Sequence, residues 1–284
     1  KNFLSIEEAR KNKFKIDWDT FEPVKPNFIG TKTIEVELSE LVDFIDWTPF
    51  FQSWELYGKY PAILTDEIVG EQASDLYKDA QKMLSQIVSE KWFTAKGILG
   101  IFPANTVNDD DVEVVASNEV EKFLTLRQQS QKTVGAPNIA LADFIAPKEI
   151  GKQDYIGCFC VSTGFGVDEK ASEFEKQLDD YNSILVKALG DRLAEAFAEY
   201  LHLKVRKEIW GYASDEVLSN DELIKEQYKG IRPAPGYPAC PDHLEKPTIW
   251  KLLNVEQEIG VKLTESMAMW PAASVSGYYF ANPE

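Results

Sequence analysis

Four prolines fall within nine positions, Pro233, Pro235, Pro238 and Pro241, inside the run Gly230-Ile-Arg-Pro-Ala-Pro-Gly-Tyr-Pro-Ala-Cys-Pro-Asp-His243. Each pyrrolidine ring locks φ and removes an N–H donor, so the segment can be neither a helix nor an inner strand. It has to be a rigid extended path, with a turn of positive φ permitted at Gly236. Its carbonyls have few partners of their own. Arg232 enters this frame, an arrangement suited to a two-pronged clamp on a carboxylate. The carbonyls near Ala234 can accept from an exocyclic amine, and Tyr237 offers a ring face and a hydroxyl. A proline-rich surface loop between two helices explains the same composition, and pattern alone leaves both readings open.

The rest of the chain alternates helical and extended patterns irregularly. Thr33–Leu38 alternates as a half-buried strand, and residues 68–92 place Leu76, Ala80, Met83, Leu84 and Ile87 at helical spacing. Gly97–Phe102 and Val112–Val115 read as strands joined through the acidic turn Asn108–Asp111, a solvated hairpin tip without the ligand spacing of a calcium loop. Residues 119–131 read as a short helix. Tyr155–Val161 carries no charged residue, as expected of a central strand. A long helical period runs from Ser172 to Trp210, with Gly190 as a possible break. A helix at about 248–259 ends on Gly260, and Ser274–Phe280 closes the chain as a strand. No strand–helix–strand unit repeats, so the pattern implies an α+β fold with a mostly antiparallel sheet. Residues 1–33 read as a linker or approach segment to one domain spanning 34–284. With Lys1 first, the chain reads as part of something longer.

Charge excludes several functions. The 284 residues carry 30 Lys+Arg against 47 Asp+Glu, a net charge of −17. That disfavours binding to nucleic-acid phosphates or to an anionic membrane surface, and no apolar run has membrane-spanning length. Cys158 and Cys160 share one face of a strand and, with Cys240, form neither a CxxC pair nor a plausible disulfide, which suits the cytoplasm. Only His202 and His243 are available as imidazole ligands, so a histidine-rich metal centre is not expected. Ser162-Thr-Gly-Phe-Gly-Val167 lacks the third glycine of a dinucleotide loop, and no nucleophile elbow is present.

Two further features suit a ligand resembling an amino acid. Asp46 lies among Phe44, Trp47, Phe50 and Phe51, where an unpartnered carboxylate is costly to bury. It suits a ligand ammonium, or the cap of the next turn. Asp191, Glu195 and Glu199 recur at four-residue spacing on the long helix, an acidic stripe that a solvated face also explains.

The run Arg232–Pro238, with Pro241-Asp-His243 and Glu245-Lys246, resembles the C-terminal activation domain of cobalamin-dependent methionine synthase. Asp46–Phe51, Gly58–Pro61, Leu141–Pro147, Asp180–Asn182, Val186–Tyr200 and Leu263–Pro271 extend the resemblance from about Ile34 to the end. It implies a single C-shaped α+β domain that binds S-adenosylmethionine as methyl donor for reductive reactivation of oxidised cobalamin. The cobalamin is carried by a separate domain of the same enzyme, and the electron comes from flavodoxin or an equivalent reductase. The resemblance assigns Arg232 to the ligand carboxylate and Asp46 to its amino group, with Glu195, Ala234 and Tyr237 completing the pocket. No catalytic general base and no metal ligand is implied. The family domain continues beyond Asn282-Pro-Glu284 with a segment bearing an adjacent tyrosine pair, for which Tyr278-Tyr279 is not a substitute. An alternative is a non-catalytic module that senses S-adenosylmethionine and docks on a corrinoid protein. A purely structural interaction domain is a third reading.

Overall fold

The computed structural model describes residues 2–236, 240 and 243–282. In chain order the main elements are α1 (Ile6–Lys11), β1 (Gly30–Val36), α2 (Leu38–Leu41), α3 (Thr48–Ser53), α4 (Gly70–Glu90), β2 (Thr94–Val107), β3 (Asp111–Ala116), β4 (Glu119–Leu124), β5 (Asp154–Phe165), α5 (Val167–Lys176), α6 (Asp180–Lys204), α7 (Asn220–Ile224), α8 (Lys246–Leu253), α9 (Val255–Ile259), β6 (Lys262–Leu263), β7 (Met269–Trp270) and β8 (Ser274–Tyr279). Among the described residues the main sheet has six antiparallel strands in the order β4-β3-β2-β5-β8, with β1 also paired to β2. The α+β expectation therefore holds.

Strands β2 and β5 are apolar on both faces because helices cover both. Leu99, Ile101, Phe159 and Val161 join the buried residues of α4 and α6 in one core. Their alternate neighbours Ile98, Phe102, Ile156, Cys158 and Cys160 pack with Trp250, Leu253 and Ile259 of α8 and α9 in the other. Period-two alternation thus feeds two cores from one sheet. Gly100 serves that closeness, since a Cβ there would come within 2.6 Å of both Leu253 and Phe102 side-chain atoms. The stripe expected on α4 is buried as read, from Leu76 to Ile87. Cys158, Cys160 and Cys240 are all buried, and none forms a disulfide among the described residues.

Several expected elements differ. Residues 119–131 are not a helix. Ser117 and Asn118 take positive φ (47° and 71°), making a tight hairpin, and β4 pairs with β3 through Val112↔Phe123 and Val114↔Glu121. The expected long helix is broken at Leu178, whose φ is 58° and which is 92% exposed. Asp179 then caps α6 by accepting from the Asn182 N–H. Gly190 breaks nothing. It lies buried within α6, where Thr163 Oγ1 donates to its carbonyl and Val167 packs too close for a Cβ. The helix at 248–259 is two helices meeting at left-handed Asn254, and Gly260 ends the second as expected.

The acidic hairpin tip is only partly solvated. Asp110 accepts from Arg127 Nε at 2.8 Å and from Arg10 Nε at 3.0 Å. Arg127, fully buried, also grips Asp143 with both terminal nitrogens (2.7 and 2.8 Å). The residues ahead of Thr33 have partners of their own. Arg10 extends from α1, Phe14 packs on Phe144, and the Asn27 and Phe28 N–H groups donate to the Trp210 and Ile209 carbonyls.

Candidate functional site

The aromatic stretch after β1 forms the rim of a cleft. Phe44 packs edge-on against Tyr200 of α6, and Trp47 meets Phe50 and Tyr77 in the same way, with centroids 5.2–5.5 Å apart. These contacts hold the loop carrying Asp46 against α6. One Asp46 carboxylate oxygen accepts from the Thr48 N–H at 3.2 Å, closing a turn two residues ahead of α3, whose own N-cap position is Trp47, so Asp46 holds the turn with one oxygen of two without capping the helix. Across the cleft, α6 contributes Arg192, Glu195, Ala196 and Glu199, and α7 contributes Ile224.

The proline segment supplies the third side. Ile231 exchanges two backbone hydrogen bonds with Phe280 (2.9 and 3.0 Å), and the Tyr278 N–H donates to the Pro233 carbonyl at 2.9 Å. The segment thus runs antiparallel to the end of β8, and Gly277 is required there because a Cβ would lie 2.5 Å from the Pro233 oxygen. Part of the expected carbonyl surplus is therefore used. Among the described residues Ala234 makes no backbone hydrogen bond. Gly236 adopts φ 97°, as its position in the sequence suggests.

Asp46, Glu195 and Arg232 line one cleft of about 280 Å³, together with Phe44, Pro49, Arg192, Ala196, Glu199, Ile224 and Glu226. The structure thus brings together three of the five expected site residues. Ala234 follows two residues after Arg232, half-buried and outside this lining. Tyr237 lies outside the described residues. Of the acidic stripe, Asp191 and Glu195 are exposed, whereas Glu199 turns inward with its side chain only 13% exposed.

Arg232 Nη2 donates to Glu199 Oε2 at 3.3 Å, while Arg232 Nη1 and Glu199 Oε1 are buried without a hydrogen-bond partner among the described residues. Burial raises the Glu199 carboxyl above the usual carboxylate range, and Arg232 and Arg206 oppose that shift. Beneath this pair lies a polar layer the sequence reading missed. Arg206, fully buried, forks onto Glu216 (2.7 and 3.0 Å) and lies over the Tyr228 ring at 4.2 Å. His202 is fully buried, stacked on Tyr279 at 5.3 Å and edge-on to Tyr228 at 4.7 Å. Burial first, then the charges of Arg232 and Arg206, hold its pKa well below the usual imidazole value, so the ring is neutral. Glu195, Glu199, His202 and Arg206 follow one another at helical spacing of four, three and four. Polar residues continuing along the buried side of an otherwise apolar helix were the available signal.

Tyr278 and Tyr279 point to opposite faces of β8. Tyr279 stacks on Phe159 at 4.7 Å, and Tyr278 meets Phe123 edge-on at 5.0 Å. Among the described residues no cluster of His, Cys, Asp or Glu has the arrangement of a metal site.

The family model for the vitamin B12 dependent methionine synthase activation domain matches residues 37–284. The chain belongs to that family. A solved structure of the MetH reactivation domain bound to AdoHcy is similar to this activation domain throughout. It shares 54% identity, superposes with a TM-score of 0.94, and the match covers 100% of this chain and 88% of that one. The activation domain is accordingly a module of a methyltransferase that depends on vitamin B12. No helix among its described residues is long and apolar enough to cross a membrane.

Proposed function

We propose that this activation domain binds S-adenosylmethionine in the cleft between α6 and the loop bearing Asp46, as methyl donor for reductive reactivation of the enzyme's cobalamin. The observation that carries the reading is the charge of the cleft. It sets four carboxylates, Asp46, Glu195, Glu199 and Glu226, against two guanidinium groups, Arg192 and Arg232. A negative cleft with one buried arginine suits a ligand that has a carboxylate yet is positive overall. S-adenosylmethionine is such a ligand, with an ammonium and a sulfonium beside its carboxylate. The AdoHcy-bound neighbour supports the same ligand class.

In this reading Arg232 takes the carboxylate, since Nη1 is buried with no partner among the described residues. Asp46 and Glu195 face the ammonium and sulfonium end. The backbone near Ala234, with Tyr237, completes the adenosine side. When bound, the ligand supplies the methyl group. This chain's residues bind and orient it, and none acts as a general base, because the cobalt nucleophile is carried by another domain. The partners are therefore the cobalamin-binding domain of the same enzyme and a reductase of the flavodoxin type, in the cytoplasm. Residues 34–284 form the binding unit, and the first 33 approach it. The domain alone makes no methionine.

Calorimetric titration with S-adenosylmethionine, alongside Arg232→Ala, tests the assignment. Loss of a charge-assisted contact predicts a drop in affinity of about tenfold or more. Saturable binding indifferent to Arg232 sinks the residue assignment, and an absence of binding to the intact chain sinks the ligand.

A further inference from the structure

Glu199 occupies a place in the cleft that the ligand assignment leaves without a role. Arg232 and Glu199 are both largely buried, with side chains 17% and 13% exposed, and a single contact of 3.3 Å joins Nη2 to Oε2. The other buried cation nearby makes no hydrogen bond to Glu199 among the described residues: Arg206 places Nε and Nη2 on Glu216, at 2.7 and 3.0 Å, and its Nη1 has no partner there. Glu199 is therefore the carboxylate that anchors Arg232 among the described residues. The anchor engages one edge of the guanidinium and leaves Nη1 without a partner. Below it, neutral His202 and the ring of Tyr279 add no second carboxylate to pull the group away. A long side chain held at one edge loses less conformational freedom when its other edge meets a ligand.

We propose that Glu199 is a positioning residue, which holds the Arg232 guanidinium so that its remaining N–H groups meet the carboxylate of the bound ligand. The inference rests on the reading of Arg232 given above. It assigns Glu199 an action through Arg232 and not through the ligand's ammonium or sulfonium.

The test uses the full chain, S-adenosylmethionine, and decarboxylated S-adenosylmethionine, which keeps both positive centres but lacks the carboxylate. Glu199→Ala should weaken S-adenosylmethionine binding at least fivefold. Glu199→Gln, which retains an acceptor for Nη2, should restore it to within about twofold, inside the range of one hydrogen bond. Both variants remove one of the cleft's four carboxylates, so both should weaken the decarboxylated ligand alike and by no more than about twofold, the scale of a screened charge, and its retained binding also certifies the fold. In an Arg232→Ala background Glu199→Ala should add no more than that same small loss. Equal losses for both ligands, or the full loss persisting without Arg232, would show direct contact and overturn the proposal. Tighter binding in Glu199→Ala would make Glu199 a competitor for Arg232 and overturn it too. If Arg232→Ala itself changes nothing, the carboxylate assignment fails and this inference with it. If Arg232→Ala weakens binding while Glu199→Ala does not, only the inference fails.

Discussion

Replacing Arg127 with methionine should be among the most damaging single changes in the domain, and it should leave the ligand cleft untouched. Methionine keeps an unbranched side chain of similar reach but removes the charge and every N–H donor. Arg127 is fully buried and donates to Asp110, to both oxygens of Asp143 and to the Asn138 carbonyl, at 2.7–2.8 Å. Without it the Asp143 side chain, 1% exposed, keeps among the described residues only the Ala140 N–H at 3.1 Å. Asp110 keeps Arg10, which is itself 38% exposed and the weaker partner. Removing one member of a buried pair typically costs about 3–5 kcal/mol. The surviving contacts argue for the lower part of that range, so the expected loss is about 3–4 kcal/mol. Against a total stability of about 5–15 kcal/mol the loss is severe. With a urea m-value of about 3 kcal/mol/M, the unfolding midpoint should fall by about 1 M. The double variant Arg127→Met/Asp143→Asn should recover part of the loss, because the orphaned charge is gone. A single-variant cost below about 1 kcal/mol, or strictly additive effects in the double variant, would refute the reasoning.

Acid stability should depend on His202. Its folded pKa is depressed, so its contribution is intact above the unfolded value near 6.5 and is lost as pH falls, when only the unfolded chain takes up the proton. Between pH 7.5 and 5.5 this linkage is worth about 1.4 kcal/mol. His202→Phe, which preserves a ring against Tyr279, should flatten the urea-monitored pH slope by that amount, and an unchanged slope would contradict a buried neutral imidazole. Ligand charge gives a second test. S-adenosylmethionine should bind several-fold more tightly than S-adenosylhomocysteine, which lacks the sulfonium charge, and raising the salt concentration should narrow the gap. A reversed order in calorimetric titrations would remove the electrostatic basis of the cleft assignment.

What could be read from the sequence follows the strength of each local signal. The stripe on α4 and the uncharged run in β5 were legible because burial imposes a period and a composition that little else produces. Residues 119–124 were not, because a six-residue strand offers too few positions to separate a period of two from one of 3.6, and its turn has no glycine. The break at Leu178 was hidden by a coincidence of spacing. Phe174 and Leu178 sit four apart, yet Leu178 is an exposed left-handed residue between two helices. Asp46 and Arg232 stood out because each is a charge in an environment that resists charge. His202 and Arg206 did not, since a helix rich in leucine and alanine reads as simple core.

That concealment bears on how the fold makes a site. Helix α6 must bury one side against the sheet, where Leu189, Leu193 and Phe197 contribute to the core. Farther along, α6 carries Glu199 and His202, and the π-helical turn Val205–Ile209 that continues it carries Arg206, into a region closed by Tyr228 and Tyr279. Buried charge of this kind is tolerable only when paired, and Arg206 with Glu216 satisfies that condition internally. Arg232 and Glu199 meet at a single contact of 3.3 Å, which leaves Glu199 Oε1 buried without a partner among the described residues, whereas both Glu216 oxygens are engaged; each arginine keeps one buried Nη1 without a partner there. A structural ion pair would gain by closing to a two-point contact, as Arg206 and Glu216 do. The pair joined at one point lines the cleft, and the pair joined at two points does not. That placement is why Arg232, rather than Arg206, is the arginine a carboxylate ligand would find.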